Sequence, residues 1–406
     1  MRFLHTSDWH LGRSFHQVGL LDAQAQFVDH LVETVRAESV DAVLVSGDVY
    51  DRAMPAPDTV RLLSEAVTRL RDAGATVVLS SGNHDSAIRL GFASELLART
   101  GLHIRSSIAS IGSPVLVGDV AVYALPYLEP SVAAGPLLAQ ERTHAGVLKA
   151  AMDRVAADRV HRGGRSVVMA HAFVTGGATS ESERDISVGG VSAVHPRVFA
   201  GADYVALGHL HGRQRVGDTV RYSGSPLALS FSEVNHTKGS WLVDVGDRGV
   251  RAEPVDAPVP RPLAVLRGDL DDLLADPAYG RHEQSWCQVT LTDPVRPLGA
   301  MERIRRRFPH ALVLQFDPQG APIPVRSYAD RVSAPSELDV CCDFLGHVRA
   351  GHLADEGERA RFAEALEAVR TGRARSDDEG LGEGLGEGLG EGLGEGLGDD
   401  AEAGAA

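Results

Sequence analysis

The chain has 406 residues, a formal net charge of −15, 43% hydrophobic residues and three cysteines. That length allows two or more domains around an ample core, and the lack of any long apolar run excludes a transmembrane helix. Cys287, Cys341 and Cys342 form no Cys-x-x-Cys pattern, which excludes a disulfide framework.

Ten of the acidic charges fall in residues 377–406, which hold no Lys or Arg, so the other 376 residues carry −5. Such a body does not hold nucleic acid by bulk electrostatics. Phosphate binding would rest on local Arg clusters and on bound cations. Lysine occurs only at Lys149 and Lys238, an Arg excess that reads first as genome composition bias. The opening Met-Arg-Phe-Leu-His-Thr-Ser-Asp is too short and too polar for a signal peptide, so a cytoplasmic place without membrane contact is expected.

Residues 3–6 read as a first strand leading into Ser7-Asp8-Trp9-His10, where Asp8 and His10 share a face if the chain stays extended. Residues 11–21 predict a loop that places Arg13 and His16 to meet substrate. Residues 23–38 carry Phe27, Leu31, Val32 and Val35 at helical spacing. A strand at 43–46 precedes Gly47-Asp48-Val49-Tyr50-Asp51, and Asp51 either orients a catalytic group or caps a helix over 58–72. A strand at 77–79 leads into Gly82-Asn83-His84-Asp85, in which Asp85 either fixes the His84 tautomer or caps the following turn.

Residues 102–123 predict further strands, the stretch to residue 161 is helical, and a buried strand at 166–170 ends on His171. A long polar loop through Ser180-Glu-Ser-Glu-Arg184 follows, expected to be flexible and to gate or touch substrate, with Arg184 as the candidate contact. The last strand of this series, 203–208, delivers His209 and His211, which alternate along an extended segment and so point the same way. Residues 220–226 and 240–244 read as a hairpin-like pair, and Pro254, Pro258, Pro260 and Pro262 mark a linker.

Beyond it, strand, helix, strand, helix, strand between 262 and about 320 predict a small α+β unit. Residues 336–350 and 355–369 predict two helices with apolar positions Leu338, Phe344, Leu345, Val348, Phe362, Leu366 and Val369. Residues 379–398 repeat Gly-Leu-Gly-Glu, a composition expected to stay disordered.

Buried strands with helical patterns between them predict an α/β sheet, and ligands of such sheets bind outside the carboxyl ends of the strands. One edge would then gather Asp8, His10, Asp48, Asn83, His171, His209 and His211. Seven oxygen and imidazole donors are too many for one small ion and suit two, with Mn, Fe, Co or Zn all compatible and a pure Ca or Mg site disfavoured. His84 has the right chemistry to protonate a departing alkoxide.

The order Asp-x-His, Gly-Asp, Gly-Asn-His-Asp, His, Gly-His-x-His is similar to that of calcineurin-like metallophosphoesterases. The strings His5-Thr-Ser-Asp-Trp-His-Leu-Gly-Arg13, His171-Ala-Phe-Val-Thr-Gly-Gly177, Ser180-Glu-Ser-Glu-Arg184 with Ser187-Val-Gly-Gly190, and Tyr222-Ser-Gly-Ser-Pro-Leu-Ala-Leu-Ser-Phe-Ser-Glu233 resemble the SbcD family. SbcD is the nuclease subunit of the prokaryotic SbcCD complex, and the resemblance runs to about residue 370.

The resemblance implies an α/β fold: a metallophosphoesterase β-sandwich flanked by helices at 1–255, a small α+β cap at 262–320 that helps recognise DNA, and a C-terminal helical pair. The segment 333–371 would bind an SbcC-type ATPase, ahead of an acidic Gly-rich tail at 372–406. It implies two divalent ions, Mn for activity with Mg, Fe, Co or Zn as alternatives. One would be held by Asp8, His10, Asp48 and His211, the other by Asp48, Asn83, His171 and His209, with Asp48 bridging. The ions would activate a water for in-line attack while His84, Asp51 and Asp85 serve the catalytic side and Arg13, His16 and Arg184 the substrate. It further implies a homodimer within a heterotetramer, acting at the nucleoid on DNA ends and hairpins as exonuclease and endonuclease in repair, recombination and replication. The same motifs serve phosphoesterases of nucleotides or phosphoproteins, and a non-enzymatic scaffold at DNA ends is the third reading.

Overall fold

The computed structural model describes residues 1–184, 193–319, 336–349 and 353–380. It divides into two compact units, residues 1–291 with 299–315, and residues 292–298 with 316–406.

Two six-stranded sheets form the centre of the first unit. One runs Gly249–Asp256, Gly239–Gly246, Arg2–Thr6, Ala42–Ser46, Thr76–Ser80, Leu102–Arg105, and its last four strands are parallel. The other runs Gln214–Arg215, Val220–Tyr222, Tyr204–Gly208, Arg165–His171, Val120–Ala124, Val115–Val117.

Alternation along the strands sorts the side chains into layers. Phe3, Ala42, Leu44 and Val78 face Val122, Val167, Met169, Tyr204 and Ala206 across the inter-sheet core. Leu4, Val43, Val45, Val77 and Leu79 point the other way, against Phe27, Leu31 and Val35 of helix Leu21–Ala37 and Leu63, Ala66 and Leu70 of helix Pro57–Asp72. On the far side, Tyr123, Val168, Ala170 and Val205 pack on Val147, Ala151 and Val155 of helix His144–Arg162. Burial on both faces explains the nearly continuous apolar runs of these strands. The result is a helix-flanked β-sandwich with mixed α/β content.

The expected hairpin of 220–226 with 240–244 does not exist. Val220–Tyr222 pairs with Tyr204–Gly208 in one sheet, while Gly239–Gly246 pairs with Arg2–Thr6 in the other. The chain between them crosses from sheet to sheet, because each strand completes a different apolar layer. The loop expected at 11–21 contains a tight hairpin, Ser14–Phe15 with Val18–Gly19.

A three-stranded sheet, Leu263–Gly268, Trp286–Leu291, Ala311–Phe316, follows the linker with helices Leu270–Ala275 and Ala300–Arg307, in the order expected. It meets the β-sandwich through aromatics. Phe15 stacks on Trp286 at 5.3 Å and meets Phe231 edge-on at 5.0 Å.

In the second unit, helices Glu337–Val348 and Glu356–Gly380 pack together, joined by Arg359–Asp339 at 2.7 Å and Arg349–Glu358 at 2.8 Å. Phe344 and Val369 stay exposed. No helix among the described residues is long and apolar enough to cross a membrane. The Ser187-to-Gly190 string, residues 320–335 and the repeat tail beyond 380 lie outside the described residues.

Candidate metal centre

The strand ends converge as expected, but not by extended geometry. Asp8, His10 and Asp48 have φ of 52°, 43° and 48°, and His209 has 104°. Left-handed backbone is uncommon for residues with a Cβ and is held here by cross-ties between loops. Asp8 N–H donates to Gly47 C=O and His10 N–H to Asp48 C=O, each at 3.0 Å, and His209 N–H donates to Asp8 Oδ1 at 3.0 Å. Asp8 and His10 therefore reach the site by tight turning, as does His209 before His211.

Glycine is required at two of these turns. A Cβ on Gly47, itself at φ 86°, would collide with the His171 ring, and one on Gly82 would collide with Asp48. The Gly-Asp and Gly-Asn-His-Asp motifs are thus packing constraints as well as carriers of candidate ligands.

Asp48 occupies the middle. Its Oδ1 accepts the His84 backbone N–H at 2.8 Å. Its Oδ2 lies 3.6 Å from His10 Nε2 and 3.4 Å from His171 Nε2, between two groups of donors. Asp8, His10 and His211 gather on one side and His171, Asn83 and His209 on the other, with Asp8 also near Asp48 and His171, and His84 near His10 and Asp48. All seven residues are at or near full burial except Asn83, which is half-buried.

The outward-facing atoms fix which imidazole nitrogens point inward. His171 Nδ1–H donates to Ser46 C=O at 2.9 Å, which turns Nε2 toward Asn83 Oδ1, also 2.9 Å away. His211 Nδ1 lies 2.5 Å from Ser182 Oγ, and His10 Nδ1 faces Asp51 Oδ1 at 3.5 Å. The two Nε2 atoms then oppose each other at 3.1 Å. Ring nitrogens and an amide oxygen crowd together in a buried space, and His10 Nδ1 and Asn83 Nδ2 have no hydrogen-bond partner, orphaned polar atoms of the kind a cation site leaves. The donor set fits metal ions on both sides of Asp48.

Against its own burial, the Asp48 and Asp8 carboxylates push the His171 imidazole up to about 9, so its Nε2 proton is one that a metal ion would displace. Burial, and then the charge of Asp48, pushes the Asp8 carboxyl up to about 6. Against its own burial, Asp48 is held well below the usual carboxylate range by His171 and His10. Burial and the charge of His171 lower His209 to about 3, leaving a neutral imidazole suited to ligation.

His84 stands beside His10, ring centroids 4.7 Å apart, and its Nδ1–H donates to the Asp51 backbone carbonyl at 2.8 Å. That leaves Nε2 as the ring nitrogen not tied to the backbone. Asp51 does not cap the next helix. Its carboxylate sits between His10 and Arg13, with Arg13 at 3.1 Å. Asp85 does not touch the His84 ring. It accepts the backbone N–H groups of Val49, Tyr50 and Gly82 at 3.1, 2.9 and 2.9 Å, clamping two ligand loops together. Arg184 donates to Asn83 C=O at 3.3 Å, beside the site. His16 is exposed and tilts over Phe231 at 5.1 Å, with no contact to a ligand residue.

Sequence reading missed Glu183, whose Oε1 accepts the His211 N–H at 2.8 Å, and the buried group of Ser182, Glu233 and Lys238 behind His211. It also missed Tyr127, edge-on to His171 at 6.2 Å. The signals present were the strings Ser180-Glu-Ser-Glu-Arg184 and Tyr222 to Glu233, which hold Ser182, Glu183 and Glu233, and the rarity of lysine for Lys238.

Residues 1–213 match the family model described as calcineurin-like phosphoesterase, more than half of the chain. The chain belongs to the calcineurin-like phosphoesterase family. This family uses a dinuclear metal site, and the clusters above are the candidate ligands. As a calcineurin-like phosphoesterase, the chain is a metal-dependent phosphoesterase by family. Residues 259–346 match a second model, SbcD_C, described as the type 5 capsule protein repressor C-terminal domain. Among solved structures, the chain is similar to TT1561 of Thermus thermophilus, at 14% identity and TM-score 0.37, covering 62% of this chain and 98% of that one. It is also similar to a dimetal phosphatase from Danio rerio, at 14% identity and TM-score 0.39, covering 64% and 99%.

Proposed function

We propose that this calcineurin-like phosphoesterase is an SbcD-type DNA nuclease. It would cut double strands from their ends and single strands or hairpins internally, in partnership with an SbcC-type ATPase. The observation that carries the reading is the second family match over residues 259–346, which adds an accessory α+β domain and a helix to the phosphoesterase core. Domains at 1–255 and 262–320, a partner-binding segment at 333–371 and a tail from 372 belong to the same proposal. So do Mn as the working metal and the nucleoid as the place of action.

Two ions would polarise the scissile phosphate and supply the nucleophile. The chain's residues do the rest. Asp8, His10, Asp48 and His211 hold one position, and Asp48, Asn83, His171 and His209 the other. His84, fixed through Nδ1, gives a proton to the departing 3′ or 5′ oxygen from Nε2. Asp51 restrains His10. Arg13 and Arg184 meet the phosphate backbone, and His16 sits on the cap-facing side. Asp85 serves catalysis only by holding the loops. The exposed Phe344, Val348 and Val369 of the helix pair support docking on the ATPase. Ile88 and Phe92, 89% and 80% exposed beside the His84 loop, support a homodimer.

The test is cleavage of double-stranded DNA with free or blocked ends in Mn, with and without the co-expressed ATPase and ATP. The reading expects exonuclease action alone, and ATP-dependent cutting of blocked ends with the partner. Good turnover of small phosphodiesters with no cutting of any DNA would move the substrate elsewhere.

A further inference from the structure

Behind His211 lies a charged pair that the ligand scheme does not use. Glu233 and Lys238 are 1% and 6% exposed. The Lys238 ammonium has three protons, and each has an acceptor: His211 C=O at 2.8 Å, Ser225 Oγ at 2.9 Å and the Glu233 carboxylate. A compact tripodal donor fits this pocket, whereas the planar guanidinium of Arg does not present three donors in that way. That explains a lysine here in a chain whose other basic residues, save Lys149, are all Arg.

Glu233 spends its second oxygen on a serine. Oε1 accepts the hydroxyl of Ser182, while Ser180 Oγ, 3.1 Å from it, has a nearer acceptor in Glu183 Oε2 at 2.8 Å. A hydroxyl has one proton to give. Since the Ser182 proton goes to the acceptor-only carboxylate, its oxygen must accept from His211 Nδ1–H at 2.5 Å. The relay fixes one tautomer of His211, with the Nε2 lone pair aimed at His10 and the Asp8 side of the site. A carboxylate behind a ligating imidazole orients the ring and raises its basicity, and here a serine hydroxyl carries that influence.

We propose that Glu233 and Lys238 are a buried positioning pair that acts through Ser182 on His211, and so sets the metal affinity of the Asp8–His10–His211 position alone. The inference rests on the metal-centre reading above. No equivalent relay reaches His171, whose Nδ1–H is held by the Ser46 carbonyl.

The experiment titrates Mn into the full chain and its Ser182→Ala, Ser182→Thr and Glu233→Gln variants, by calorimetry and by paramagnetic resonance of bound Mn. Thermal melting checks that each variant is folded. Ser182→Ala and Glu233→Gln are expected to weaken one of two binding events about 10- to 100-fold. A chain carrying both Ser182→Ala and Glu233→Gln should match either single variant, and Ser182→Thr should keep most of the parental affinity. Parental affinity at both positions in the folded variants overturns the pair's role, as does equal weakening of both. A parent chain that binds no Mn overturns the metal-centre reading and this inference together, whereas normal parental binding with unchanged variants overturns this inference alone.

Discussion

The imidazoles of His10 and His211 oppose each other with their Nε2 atoms 3.1 Å apart, although the residues lie 201 positions apart in sequence. Behind them, Ser182 Oγ holds His211 Nδ1 at 2.5 Å, while the Asp51 carboxylate faces His10 Nδ1 at 3.5 Å without a hydrogen bond. The chain therefore prepares the metal position from its outer side, and the predictions follow from what holds each residue.

The His84 Nδ1–H is engaged by the Asp51 carbonyl at 2.8 Å, and the ring lies 4.7 Å from that of His10. His84→Gln is expected to keep bound metal at parental content while lowering phosphodiester turnover about 10²- to 10⁴-fold. Metal analysis and turnover on one sample check this. Parental turnover by the metal-loaded variant would remove His84 from proton transfer.

Asp85 satisfies three backbone donors from two loops. Asp85→Ala leaves all three unpaired in a buried place and is expected to cost roughly 2–4 kcal/mol, with Asp85→Asn milder. Urea unfolding at fixed metal concentration measures it. A loss below about 0.5 kcal/mol would show that the clamp is not stabilising.

Gly82→Ala places a Cβ against the Asp48 carboxylate and backbone nitrogen. Neither neighbour can move without disturbing both metal positions, so bound metal should fall at both. The same substitution at Gly74, which has open space around it despite its φ of 99°, should leave metal content unchanged. Equal metal content in the Gly82 variant and the parent would contradict the packing argument.

His5 is wholly buried between the sheets, accepting from Tyr204 O–H at 2.9 Å and donating to Leu207 C=O at 3.1 Å. Burial lowers its pKa from 6.5 to about 3. Below pH 6.5 the unfolded chain takes up a proton that the folded chain refuses until about pH 3. Stability is therefore complete above the unfolded value and declines as pH falls, by up to about 1.4 kcal/mol per pH unit for this group. His5→Asn should flatten that decline between pH 6.5 and 4.5 in unfolding titrations. Parallel slopes would show that His5 is not the group responsible.

Much of this was legible in the sequence because ligand chemistry sits in short local strings. Asp8-Trp9-His10 and His209-Leu210-His211 each carry their donors within three residues, next to apolar strands that must be buried. What was not legible is how the turns are made. Alternation along an extended chain was the wrong reason for the convergence of Asp8 with His10, because a positive φ is set by loops from elsewhere in the chain. The pairing of 220–222 and 239–246 was misread because proximity in sequence suggests a hairpin, while each strand completes a different sheet. Asp85 and Asp51 have short polar side chains whose partners depend on loop packing, so their work as clamp and as His10 restraint appears only in three dimensions. Ser182, Glu233 and Lys238 come from three separate segments, and nothing local marks them as one unit.

The most direct test is the number of Mn ions bound per chain, measured together with hydrolysis of a simple phosphodiester, in the parent and in Asp48→Ala. The structure places Asp48 Oδ2 between the two donor groups. The account predicts two ions per parent chain, with both occupancy and hydrolysis collapsing when that carboxylate is removed. A parent that binds fewer than one ion, or an Asp48→Ala chain that hydrolyses the diester at the parental rate, would contradict it.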